Sequence, residues 1–251
     1  MNDPFFDFFN KDRPVVDQES PEWKIVSFKE YPRSPRILLP KPARLKTELS
    51  DVILKRKTER EFSDLPLSKE VLGTLLFWSM GLIHKSPHLP AGRWGDKSED
   101  RENILRRPYP SGGARYPVES YVIVFRGENL ARGAYHYNFK EHALEEIQRS
   151  DIGKIQEALP YDFAKNASAL ILLSFIGERT VKKYGNLGYK LGLLEAGHIG
   201  QNIYLVGAAL GLGVLALGGI DYEVIQKELD LGEEETVFYQ LSLGWLKEQP
   251  G

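Results

Sequence analysis

The sequence predicts a mixed fold of helices and strands, organised as one fairly large domain behind a distinct N-terminal arm. Three observations carry this. Two unbroken apolar runs, Tyr121–Phe125 and Ser168–Ile176, read as strands buried on both faces. The segment Leu187–Leu210 reads as a long helix, with Leu191, Leu194, His198, Gln201 and Leu205 at three- or four-residue steps. Residues 1–46 differ in composition from everything that follows.

In that first segment Pro4, Pro14, Pro21, Pro32, Pro35, Pro40 and Pro42 interrupt every periodic stretch, while Phe5, Phe6, Phe8, Phe9, Trp23 and Phe28 supply large apolar groups. Disordered tails are poor in aromatics, so residues 1–46 read as an extended arm that wraps its own domain or a partner subunit, and residues 47–251 as the domain. From Thr47, "TELSDVILKRK" places Leu49, Val52 and Ile53 at helical spacing. Ser68 is a suitable N-cap for the helix "KEVLGTLLFWSMGL", whose stripe Val71, Leu72, Leu75, Leu76 and Met80 faces a core. The polar, turn-rich residues 84–105 read as a surface loop. Gly133–Phe139 alternates beside "HALEEI" as a hairpin-like pair, and "DIGKIQEAL" is a short helix. Gly211 is the expected C-cap of the long helix, ahead of strand-like runs in "GVLALGGID" and "VFYQLSLGWL". Gly192, Gly197, Gly200 and Gly207 each cost that helix stability and predict that another helix backbone packs closely.

Composition excludes several functions. A chain of 251 residues buries roughly 70–75% of its unfolded surface, enough for a full core and a cleft. A formal charge of −2 lacks the basic footprint of a nucleic-acid binder. The absence of cysteine excludes disulfides, thiol catalysis and iron–sulfur clusters. "MNDPFFDFFNKDRP" is not a signal peptide, and no stretch approaches the ~18 uninterrupted apolar residues of a membrane span. The expectation is a soluble cytoplasmic protein.

Four motifs could carry chemistry. In "KRKTER", Arg56 and Arg60 share a face if helical and can converge just past a helix end; with Lys57 and Thr58 they suit a phosphate, or form a solvated basic run. In "PYPSGGARYP", Ser111 offers a hydroxyl, and Gly112 and Gly113 let backbone amides approach a ligand; the alternative is an ordinary loop before a strand. "LGLGVLALGGID" is not a dinucleotide fingerprint, since a helix rather than a strand precedes its first glycines, but Gly218 and Gly219 after a strand can present an N–H to a planar edge. Lys183 and Tyr184 are either a solvent-facing pair or a proton carrier, the ammonium favouring the phenolate. Glu195 and His198 sit three apart and could hydrogen-bond. The remaining histidines, His84, His88, His136 and His142, lack metal-like spacing, so no metal is expected.

The order of these motifs resembles the FMN-dependent nitroreductase family, most closely its SagB-type dehydrogenase branch, which includes azoline oxidases of ribosomal peptide natural products. The matching pieces are "RKTEREF", "PSGGARYPVESYVIV", "GAYHYN", "KYGNLGYKLGLLEAGHIGQNIYLVGAALGLG" and "LGGID". The resemblance implies an α+β, nitroreductase-like fold with a central mostly antiparallel sheet surrounded by helices, in an intertwined homodimer with two FMN molecules at the subunit interface. Arg56, Lys57, Thr58 and Arg60 would hold the phosphate and ribityl chain. Pro110, Ser111, Gly112 and Gly113 would line the isoalloxazine from the other subunit. Gly218 and Gly219 would lie near flavin N5, with Gln201 and Asn202 as lesser lining residues. Lys183–Tyr184 matches the branch's proton-removing pair, with Tyr184 as base. O₂ or NAD(P)H would complete the cycle of a small-molecule or peptide substrate. An NAD(P)H-driven nitro or quinone reductase, and a non-catalytic flavin-binding interaction subunit, are the alternatives. The family's C-terminal basic pair has only Lys247 as a counterpart, which leaves phosphate binding to Arg56 and Arg60, aided by Arg115.

Overall fold

The computed structural model describes residues 8, 9, 11, 26–86, 104–147 and 150–247. Seven strands form one sheet in the order β1 (Arg36–Leu38), β8 (Ala143–Glu146), β7 (Gly133–Asn138), β5 (Val118–Val124), β9 (Ala169–Ile176), β11 (Glu235–Trp245), β10 (Leu212–Leu217). Every neighbouring pair in it is antiparallel. Successive side chains of a strand point to opposite faces, and in the Tyr121–Val124 part of β5 both faces are apolar and buried. Val122 and Val124 join the core beneath α2 (Lys69–Met80) and α6 (Leu187–Leu210). Tyr121 and Ile123 join a second core beneath α3 (Ile152–Glu157), α4 (Asp162–Lys165) and α7 (Tyr222–Glu228). Helices therefore cover both faces of one antiparallel sheet, the α+β arrangement expected.

Local signals place the helices. Ser68 caps α2, its hydroxyl accepting from Val71 N–H at 3.2 Å, and Leu72, Leu75, Leu76 and Met80 are buried. The helix α1 (Leu49–Lys55) is shorter than "TELSDVILKRK". Gly211 ends α6 in the left-handed region, φ 76°, and the chain doubles straight back into β10. Residues 84–105 are not simply a loop: β3 (His84–Ser86) pairs antiparallel with β4 (Ile104–Arg106), while residues 87–103 lie outside the described part. A short parallel pair, β2 (Leu67–Ser68) with β6 (Gly127–Glu128), completes the strands.

The stripe that marks α6 in the sequence is not its buried face. Leu194, His198 and Gln201 are exposed, whereas Glu195, Ala196, Ile199, Ile203 and Tyr204 are buried. The glycines have a matching explanation. A Cβ at Gly192 would meet the Phe175 ring at 2.4 Å and one at Gly200 the Tyr239 ring at 2.5 Å, so these two let α6 press onto aromatic side chains of the sheet rather than onto a helix. Gly188 alone meets a helix backbone, that of α5 (Glu178–Tyr184), at 2.8 Å. Gly197 faces open space. Of the N-terminal segment, residues 26–46 pack on the domain itself: β1 edges the sheet, Leu39 is buried, and Phe28 meets Phe139 edge-on with ring centroids 5.0 Å apart.

Candidate active site

Two separate regions along α6 collect the residues singled out by the sequence. The first lies at its C-terminal end. There α1 stops at Lys55, and Arg56 turns extended (φ −59°, ψ 118°), so residues 56–60 leave the helix and run beside β10. Thr58 bridges to Val214, and Glu59 N–H donates to Val214 C=O at 2.9 Å. A cleft of about 360 Å³ opens here, lined by Lys55, Arg56, Lys57, Glu59, Tyr204 and Gly213 among others, in the size range of small-molecule sites. The Arg56 guanidinium stands 5.6 Å from the Tyr204 ring centroid. Tyr204 Oη is fixed by Thr58 Oγ1 at 3.3 Å and by the Ala216 N–H at 2.9 Å. Lys57 pairs with Glu59 at 2.9 Å. Burial raises the Glu59 carboxyl, but the Lys57 hydrogen bond and two backbone N–H groups outweigh it and keep it ionised. Three cationic side chains against one carboxylate leave the cleft basic, which suits an anion. Arg60 is exposed and outside the lining; Leu246 is part of it, which sets Lys247 at its edge.

The second region is the turn before β5. Ser111 leads into a single 3₁₀ turn, Gly112–Ala114. Gly113 (φ 64°), Ala114 (φ 53°) and Tyr116 (φ 45°) all have positive φ, which is unfavourable for the two residues with side chains. Hydrogen bonds hold this strained path from every side. Tyr116 N–H donates to Ser111 Oγ at 2.8 Å, Tyr116 Oη donates to Leu105 C=O at 2.9 Å, and Arg179 Nη1 donates to Tyr116 C=O at 2.9 Å. Gly113 is required twice over, by its φ and by space: a Cβ there would lie 2.5 Å from Tyr184 Oη and 3.6 Å from Lys183 Nζ. The glycine turn and the Lys183–Tyr184 pair thus form one constellation. Its electrostatics differ from the expectation of a phenolate. Burial pushes the Tyr184 phenol up, with only the Arg115 charge opposing, while burial and the Arg115 charge push the Lys183 ammonium down.

Behind α5 lies a buried ionic network that carries little local sequence signal. His136 sits between two carboxylates, Nδ1 3.0 Å from Glu145 and Nε2 3.2 Å from Glu119. Glu119 also accepts from Arg179 Nη2 at 2.5 Å and from the Lys29 backbone N–H at 3.2 Å. Burial works against these charges, but mutual hydrogen bonding wins: Glu119 and Glu145 are held down at about 2, and His136 is raised. Arg179 lies one turn ahead of Lys183 on the same helix, so this network fixes α5 to the sheet. Arg115, expected to aid the cleft, is instead buried at the turn, its Nε donating to Arg179 C=O.

The remaining predicted residues divide clearly. Pro110, Ser111, Gly112 and Gly113 are together at the turn, Gly112 against Leu191 of α6. Gly218 and Gly219 follow β10, with open space where side chains would be. Gln201 is exposed on α6; Asn202 is a clamp, its Nδ2 donating to Ser79 C=O and Pro108 C=O, both at 3.2 Å. Glu195 is buried and His198 exposed, so the pairing considered for them is not made. Sequence reasoning missed Arg107, Tyr116, Glu119 and Arg179; the one available cue was that buried strand β5 carries a carboxylate. Among the described residues no helix is long and apolar enough to cross a membrane, and no group of three or more His, Cys, Asp or Glu could hold a metal ion.

Comparison with known proteins agrees with this geometry. The nitroreductase family profile matches residues 53–245. MJ1384 of Methanocaldococcus jannaschii, which bears the nitroreductase name, is 30% identical over 188 residues, covering 74% of this chain and 86% of that one. The trifolitoxin-processing protein TfxB of Rhizobium leguminosarum bv. trifolii is 32% identical over 51% of this chain and 36% of its own. The microcin B17-processing protein McbC of Escherichia coli is 30% identical over 53% and 51%. The matches thus span about half of McbC and about a third of TfxB. Among solved structures, a Ralstonia eutropha chain with the nitroreductase name superposes with TM-score 0.69 at 24% identity, covering 85% of this chain and 90% of that one. A chain of the E. coli microcin synthetase McbBCD complex with truncated pro-MccB17 bound superposes with TM-score 0.61 at 22% identity, covering 94% and 83%. Motifs, antiparallel sheet and these relatives converge: the chain belongs to the nitroreductase family and is an oxidoreductase by that membership.

Proposed function

We propose that this oxidoreductase is FMN-dependent, works as a symmetric homodimer, and is a SagB-type dehydrogenase acting on azoline-like or other peptidic substrates. The observation that carries the proposal is the approach of Tyr184 and Lys183 to the positive-φ glycine of the Ser111–Gly113 turn. A side-chain-free surface beside a proton-accepting pair is what removal of a proton next to a flat ring needs.

Distances along α6 support the dimer. Leu191 marks the turn and Tyr204 the basic cleft; thirteen residues apart on α6, they are separated by about 20 Å within one chain. They are also equidistant, to within a residue, from Gly197–His198, where the helix is exposed and a Cβ on Gly197 would touch nothing. A twofold axis through that point would lay two α6 helices across each other and bring the turn of one chain opposite the cleft of the other. The exposed Leu193 and Leu194 flank that point and would be covered by such a contact. Arg56, Lys57 and Thr58 would then take the phosphate and ribityl chain, Ser111–Gly113 of the partner the ring, and Gly219 the ring edge.

FMN, when bound, would supply the acceptor for a hydride. The residues handle the proton. Lowered by burial and by Arg115, Lys183 reaches its neutral amine more readily and takes the carbon-bound proton; Tyr184, kept as the phenol, relays it. This reverses the roles expected from the sequence, where Tyr184 was the base. In the oxidising direction the hydride's two electrons and proton, together with the proton taken by Lys183, leave finally on O₂ as hydrogen peroxide. Relatives that process trifolitoxin and microcin B17 support a peptidic substrate. The nitroreductase name of MJ1384 favours a second reading, reduction of nitroarenes or quinones by NAD(P)H. The test is Lys183→Ala with an azoline-containing peptide. Loss of oxidation with flavin retained supports the dehydrogenase; rapid reduction by NAD(P)H unaffected by Lys183→Ala supports the reductase. Bound flavin that turns over none of these substrates supports a non-catalytic subunit.

A further inference from the structure

We propose that Glu195 is a positioning residue that stores a proton behind the Ser111–Gly113 turn, holding the turn in its ligand-receiving shape as the neutral acid and releasing it on ionisation. This rests on the FMN reading above for what the turn receives, but not for the state of the acid.

The geometry begins with α6. Leu191 presses on Gly112, its Cδ1 2.9 Å from where a Cβ would stand. Asn202 grips the Ser79 and Pro108 carbonyls. Glu195 lies one turn after Leu191 and two turns before Asn202, on the same face, so one stripe of α6 backs the whole 107–116 segment. Glu195 is only 2% exposed, and neither carboxyl oxygen has a partner with hydrogen-bond geometry. Two more buried polar atoms of that segment are equally unpartnered, Arg107 Nη1 and Tyr109 Oη. Arg107 is otherwise firmly placed, its Nε on Met80 C=O at 2.8 Å and its guanidinium 4.1 Å from the Phe139 ring centroid.

Burial raises the Glu195 carboxyl to about 7; contact with Ser111, the charge of Arg107, the Val118 amide and the charge of Arg179 only partly oppose it. Tyr109 and Tyr116 face it as neutral phenols, themselves pushed up by burial. As the neutral acid, Glu195 leaves Arg107 on Met80 and Arg179 on Tyr116 and Glu119. As the carboxylate, it competes for both guanidinium groups, and Arg107 has a nitrogen free to answer. Movement of Arg179 loosens its bond to the Tyr116 carbonyl, and movement of Arg107 withdraws the guanidinium that lies 5.6 Å from the Tyr116 ring centroid, so either one weakens what holds Tyr116 at positive φ. The ionisation step is therefore coupled to the shape of the turn, with the proton passing to solvent.

Two measurements test this on the full-length protein. The first needs no cofactor: ¹³C-glutamate labelling, with Glu195→Gln to assign the signal, follows the carboxyl through its titration. A midpoint near 7 is expected; one near the ordinary 4.5 overturns the proposal. The second is FMN affinity against pH. It should weaken by up to about tenfold for each pH unit above the Glu195 midpoint, while Glu195→Gln binds tightly and without that slope. An identical slope in Glu195→Gln overturns the coupling. If no FMN binds at any pH, the flavin reading fails, and the carboxyl titration, read together with the chemical shifts of Gly112 and Gly113, still decides the proposal: unchanged shifts through the midpoint overturn it.

Discussion

Glu119→Gln tests whether the buried network holds α5 in place. The substitution keeps the shape of the side chain and removes its charge. In the native protein one oxygen of Glu119 receives Arg179 at 2.5 Å and the other faces His136 at 3.2 Å. Burial disfavours ionisation there, yet the His136 hydrogen bond and the charges of Arg179 and His136 hold the carboxyl at about 2, against an ordinary 4.5. That difference corresponds to about 3 kcal/mol of native stability at neutral pH. An independent route gives a similar figure, since breaking a buried ion pair from one side costs ~3–5 kcal/mol. The assay is urea unfolding followed by circular dichroism across pH. A carboxyl lowered on folding stabilises above its unfolded value of 4.5 and loses that contribution as pH falls through about 2. Glu119→Gln should therefore lose about 3 kcal/mol at neutral pH and converge with the native protein in strong acid. A loss below about 1 kcal/mol at neutral pH, the scale of an exposed pair, or a gap that persists in acid, would refute the reasoning.

Four further outcomes are expected. His136 is raised on folding from 6.5, so its contribution is complete below that value and is lost as pH rises through the higher folded one; His136→Gln should remove this alkaline decline in unfolding free energy. Gly113→Ala forces an L side chain into the left-handed region and against Tyr184, costing about 1–2 kcal/mol by thermal melting and abolishing substrate oxidation. Leu194→Asp, placed on the exposed stripe of α6, should leave each chain folded by circular dichroism but sediment as a monomer. Ser68→Ala should cost about 1 kcal/mol by removing the α2 cap, with no effect on flavin content.

Local chemistry made much of the fold legible. Ser68 and Gly211 announce helix ends because a capping hydroxyl and a left-handed glycine act within a few residues. The unbroken apolar run of β5 announces burial on both faces, which the two cores confirm. The α6 stripe misleads for a physical reason. Leu194, His198 and Gln201 recur at helical spacing like a core face, yet they are exposed in the single chain. The true buried face is disguised by Gly192, Gly200 and Glu195, small or polar residues accepted because aromatic rings and the 107–116 segment press against them. At the site, the glycine turn and the Lys183–Tyr184 pair stand out as motifs, but their contact does not, because about seventy residues separate them. The same holds for Lys29, Glu119, His136 and Arg179, whose partners in this network lie 9 to 90 residues away. Adjacency of Lys183 to Tyr184 suggested a phenolate, whereas burial raises the phenol and lowers the ammonium in the folded chain.

In the proposed dimer, each site takes one FMN between the basic cleft of one chain and the glycine turn of its partner. Subunit complementation measures this directly. Arg56→Ala, defective in the cleft, and Gly113→Val, defective in the turn, are each unable to hold flavin alone. Mixed in equal amounts and allowed to exchange, they should recover roughly a quarter of the native flavin-binding capacity, because half the dimers are hybrids with one intact site of two. No recovery from fully exchanged hybrids, or full flavin binding by either variant alone, would contradict it.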